Sequence, residues 1–116
     1  MLEMTMQVPD TLGRRLRPML TWLPTVLELS LAGFKTPAVQ TVSEVIAFLS
    51  TGPSLEQVAT FTVSPRAQQR MRRLLALNQA GLLSVEERDE LDELEQLEHL
   101  LIMLKAQAHK RLTETG

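Results

Sequence analysis

Apolar residues along this chain recur mostly at spacings of three and four, the period of a helix that buries one face; near the amino terminus they alternate instead. Met4-Thr5-Met6-Gln7-Val8 alternates apolar and polar side chains, and Pro9 cannot supply the next ladder amide, so the pattern predicts a short strand ending there. Asp10 follows at a position suited to capping a helix. Over residues 11–20, Leu12, Leu16, Met19 and Leu20 keep helical spacing, while Gly13 and Pro18 weaken or bend the segment. A second helix starts at Pro24, with Val26, Leu27, Leu31 and Phe34 as its expected buried stripe and Gly33 as its end.

Residues 35–40 break the period and read as a connector. A helix then begins near Thr41 or Ser43, presents Val42, Val45, Ile46 and Leu49 on one face, and stops at Gly52-Pro53. Ser54 stands three positions before Gln57, the spacing of a capping box. Thr60-Phe61-Thr62-Val63 favours extended backbone but is too short for a sheet, so it is expected as a strap in which Phe61 and Val63 pin the chain onto helices. Ser64-Pro65 opens a helix to residue 79 with Ala67, Met71, Leu74 and Leu75 in register. After Gly81, Ser84 and Glu87 repeat the capping-box spacing, and acids from Glu86 to Glu93 gather at the positive end of the next helix dipole. Leu94, Leu97, Leu101, Leu104 and Ala108 then step by three and four. The expected fold class is mainly α: a short N-terminal strand, small helices, and a C-terminal antiparallel helical hairpin. It divides into residues 1–34 and a helical partner-binding region at 41–113.

With 116 residues, the chain can build one domain or two small helical modules, and a core of that size gains from a partner. Only 3% of residues are aromatic against 44% apolar, so Leu, Val, Met and Ala must fill the core, with Trp22 expected inside it. The absence of cysteine excludes thiolate nucleophiles, disulfides and Cys-based metal sites, and fits a cytoplasmic location. No leader pattern precedes the first element and no apolar run approaches the ~18 residues of a membrane span, so no membrane partner is expected. The net charge of −2 conceals an uneven distribution, positive over residues 1–80 and negative beyond.

Candidate chemistry is sparse. His99 and His109 lack the spacing of paired ligands on one helix turn, and Glu44 and Glu56 have no histidine companions. Ser64 and Ser84 read as caps, and no nucleophile elbow, phosphate loop or dinucleotide fingerprint occurs. No catalytic residue, metal or cofactor is therefore expected. Arg66, Arg70 and Arg73 form a basic stripe that can meet an acidic groove or simply cover a solvated face. Leu97, Leu101 and Leu104 are the apolar candidates for partner binding. Self-association follows from an unpaired strand edge and a broad apolar stripe.

The order strand, Val8-Pro9-Asp10, then two brief helices resembles the ribbon-helix-helix family of dimeric DNA-binding proteins. That resemblance implies that Thr5 and Gln7 read base edges and that Arg14, Arg15 and Arg17 touch phosphates. The strand departs from the family in carrying no Lys or Arg. Residues 41–108, notably Glu44-Val45-Ile46-Ala47-Phe48-Leu49, Asn78-Gln79-Ala80-Gly81-Leu82-Leu83-Ser84 and Leu97-Glu98-His99-Leu100, resemble small bacterial proteins encoded near PIN-domain ribonuclease toxins. This second resemblance implies an antitoxin-like inhibitor whose partners are a PIN-domain toxin and promoter DNA. The expected function is a non-catalytic protein-binding regulator of that kind; the alternative is an assembly subunit packing through its C-terminal helices.

Overall fold

A computed structural model describes residues 1–115. Helix α1 (Asp10–Leu16) runs into a 3-10 turn (Arg17–Trp22), followed by α2 (Leu23–Leu31), α3 (Val39–Ser50), α4 (Leu55–Ala59), α5 (Pro65–Gln79) and α6 (Val85–Thr115). Among the described residues there is no strand. Alternation constrains side chains, whereas a strand exists only as a hydrogen-bonded ladder, and residues 1–9 have no second strand beside them. The expected N-terminal strand is thus corrected to an exposed irregular segment leading into α1. With it falls the ribbon on which both family resemblances and the reading of DNA binding depend. Antitoxin-like and DNA-binding assignments are not retained.

Local chemistry sets the helix boundaries. Pro9, not Asp10, occupies the cap position of α1, and Asp10 places its acid in the first turn without a capping hydrogen bond. Pro18 falls at the start of the 3-10 turn, where it bends the path between α1 and α2. Helix α3 starts at Val39, earlier than its apolar period suggests, and Thr36 Oγ1 accepts from the Ala38 amide at 3.1 Å in the turn that leads into it. Ser54 and Gln57 form both bonds of a capping box on α4. Gly52 ends α3 with φ +71°, and any Cβ there would collide with the Pro18 carbonyl, so both the turn and the close approach require glycine.

The main core joins both ends of the chain. Met19, Trp22, Val26 and Leu29 pack with Val42, Val45, Leu49 and Val58, and Leu97, Leu104 and Ala108 of α6 complete the cluster. Trp22 donates its indole N–H to the Pro53 carbonyl at 2.8 Å, which satisfies its one buried polar atom. The 60–63 strap lies over this core: Phe61 stacks on Phe48 with centroids 4.3 Å apart, and Lys105 Nζ donates to the Phe61 carbonyl at 2.7 Å. A smaller cluster of Ala38, Leu74, Leu91 and Leu94 fills the space where α5 and the start of α6 meet. The 31 residues of α6, at about 1.5 Å each, account for most of the 50 Å long axis.

Candidate protein-docking surface

Helix α2 carries two apolar rows. Trp22, Val26 and Leu29 turn into the core, while Leu23, Leu27 and Leu31, each one turn from the next, follow a second row that emerges into solvent. Leu27 is 48% exposed and Leu31 83% exposed. The expected buried stripe through Leu27 and Leu31 is therefore displaced: the inner row passes through Val26 and Leu29. On α6, Ile102 and Met103 are also exposed, at 59% and 53%.

Between the two helices lies a groove of about 570 Å³. Leu29, Leu97 and Leu104 form its buried floor, and Leu31, Phe34 and Met103 stand among its walls. Glu28 and His99 contribute polar edges. An apolar floor under a rim that mixes apolar side chains with Thr25, Gln96 and Gln107 suits an apolar side chain delivered by another polypeptide.

The sequence-derived candidates fall elsewhere or take other duties. Thr5 and Gln7 are exposed on the irregular N-terminal segment, and Arg14, Arg15 and Arg17 are exposed around α1 and the turn after it. Leu97 and Leu104 are 2% and 5% exposed, so they reach a partner only as the floor of the groove, and Leu101 is half-buried. Arg66 donates to Gln40 Oε1 and stands 3.7 Å from Glu44 Oε2. Arg70 forms a two-pronged bond to Glu90, at 2.9 and 2.8 Å, which ties α5 to α6. Bonding to Glu90 raises the Arg70 pKa above its ordinary value against the desolvation that lowers it. Arg73 is exposed, and its charge helps lower the pKa of Glu87 after the larger effect of hydrogen bonds from Ser84. The basic stripe is thus partly committed within the chain.

Acids missed by pattern reading do much of the internal work. Glu44 accepts from the Ser64 amide at 3.0 Å and from its hydroxyl at 2.8 Å, holding the start of α5 against α3. Ser64 Oγ in turn accepts from the Ala67 amide. Glu93 accepts from the Lys35 and Thr36 amides at 3.0 and 3.1 Å and from the Thr36 hydroxyl at 2.6 Å. Burial works to raise the Glu93 pKa, but these donors and the Lys35 charge outweigh it and hold the carboxyl below its ordinary range. One periodic signal pointed to Glu90: it continues the row Leu94, Leu97, Leu101 and Leu104 backwards by one turn, onto the buried face.

His99 and His109 are exposed, and no group of three or more metal-ligating side chains comes together among the described residues. No described helix is long and apolar enough to cross a membrane. Comparison with known proteins returns no match among family models, curated proteins or solved structures.

Proposed function

We propose that this protein is a non-catalytic protein-binding module that docks through the α2–α6 strip, with a second copy of itself as one partner. The observation that carries this reading is the apolar groove between α2 and α6, on whose walls Leu31 and Met103 stand 83% and 53% exposed. Fully burying a side chain of this type is worth roughly 1.5–3 kcal/mol, so a partner that covers the strip gains substantially even after the cost of association. Arg70 and Glu90, by contrast, already satisfy one another and offer a partner little.

Light scattering across micromolar concentrations tests the reading. The expected mass rises from 13.1 kDa towards twice that value. Leu31→Glu combined with Met103→Glu should restore the monomer, since both side chains are exposed and their replacement leaves the core intact. A mass fixed at 13.1 kDa for the parent protein throughout that range would contradict self-association.

A further inference from the structure

The exposed row of α6 has a charge order that specifies more than adhesion. Asp92, Glu95, His99, Ile102, Ala106 and Lys110 step along the helix by three and four and all lie at the surface. The row begins acidic, is apolar in its middle and ends basic. From this order, and resting on the self-association proposed above, we infer that α6 docks against α6 of a second copy in antiparallel orientation, with the twofold axis passing between Ile102 and Met103.

That register is self-consistent along the helix. It sets Ile102 beside the partner's Met103, Ala106 beside the partner's His99, and Glu95 beside the partner's Lys110, twice over by symmetry. Small Ala106 leaves room for the histidine ring. A parallel arrangement would instead face Glu95 with its own copy and Lys110 with its own copy, placing like charges together at both ends. Antiparallel packing also opposes the two helix dipoles favourably. Within one chain Lys110 lies 4.0 Å from Glu114, but both side chains are highly exposed, so this contact is readily exchanged for one across an interface. Leu31, which shares the groove with Met103, extends the apolar centre from α2.

The chain has no cysteine, so single introduced thiols report the geometry directly. Glu95 and Lys110 are separated by about 22 Å along the helix at 1.5 Å per residue. Under mild oxidation, a mixture of Glu95→Cys and Lys110→Cys proteins should give a disulfide-linked pair containing one of each, whereas Glu95→Cys alone should not crosslink efficiently. Charge reversal supplies an independent readout. Glu95→Lys and Lys110→Glu should each weaken self-association by about tenfold, and mixing the two should restore it, since each then meets its opposite in the other chain. Circular dichroism should show the parental helix content for every variant, because the altered positions are exposed.

Efficient crosslinking of Glu95→Cys to itself would overturn the antiparallel register in favour of a parallel one. Charge reversals that associate as tightly as the parent, with a pair that dissolves on removal of residues 1–7, would overturn it in favour of an N-terminal contact. If Leu31→Glu with Met103→Glu dissolves the pair but neither the crosslinks nor the charge pattern follows, the antiparallel geometry fails while docking through the strip stands. A monomeric parent protein would remove both.

Discussion

Between residues 97 and 108, α6 buries Leu97, Leu104 and Ala108 in a core shared with α2, α3 and α4; about two turns before Leu97 it buries a carboxylate, Glu90, beside Leu91 and Leu94. The first region is held by apolar burial between residues far apart in sequence. The second has a smaller cluster and adds directed polar ties, Arg70 to Glu90 and Glu93 to the 35–36 backbone. The difference teaches where this chain can be changed: shape matters most at the distal end, and charge matters most where α5 meets α6.

The largest expected effect lies in the apolar region. Leu97→Ala should cost about 2–5 kcal/mol in urea denaturation, since it opens a cavity in packed surroundings, while Leu101→Ala, only half-buried, should cost clearly less. Equal losses from the two substitutions would break the distinction drawn along the buried face of α6.

In the polar region, Arg70→Ala should cost about 3 kcal/mol because it strands the buried Glu90 carboxylate. Adding Glu90→Leu should recover most of that loss by extending the row of Leu94 and Leu97. Failure of the second substitution to recover stability would mean that Arg70 contributes by packing its stem, independently of the ion pair.

The local punctuation of the fold was legible because its partners lie within a few residues. Ser54 with Gln57, Ser64 with Pro65 and Ser84 with Glu87 each declare a helix start through bonds that span three positions. Pro18 and Gly52 announced a bend and a stop for equally local reasons. Long-range facts were hidden. In α2, leucines on two rows made the buried face ambiguous, and only tertiary packing selects Val26 and Leu29 over Leu27 and Leu31. The N-terminal alternation suggested a strand, yet a strand needs a neighbour that side-chain order alone does not supply. Glu90 and Glu93 stood inside an acidic run that reads as solvent coverage, and their roles depend on Arg70 and Thr36, distant in sequence. The docking strip was therefore obscured for the same reason that α2 was misaligned.

A smaller effect is expected from acid. Hydrogen bonding lowers the pKa of Glu87 and Glu93 in the folded chain, so their contribution is fully present above the ordinary value of 4.5 and is lost as pH falls through the lowered values. Glu93→Gln should reduce stability by about 1 kcal/mol at neutral pH and flatten the decline below pH 4.5. Denaturation midpoints measured over that acid range check both parts. An unchanged acid slope would remove Glu93 from the polar clamp.

Sedimentation equilibrium on three proteins tests the docking account most directly: the parent, Met103→Glu on the strip, and Leu82→Glu at a still more exposed apolar site in the turn between α5 and α6. The account predicts that the parent and Leu82→Glu self-associate with similar dissociation constants, while Met103→Glu remains near 13.1 kDa. Association of Met103→Glu as tight as that of the parent would contradict it.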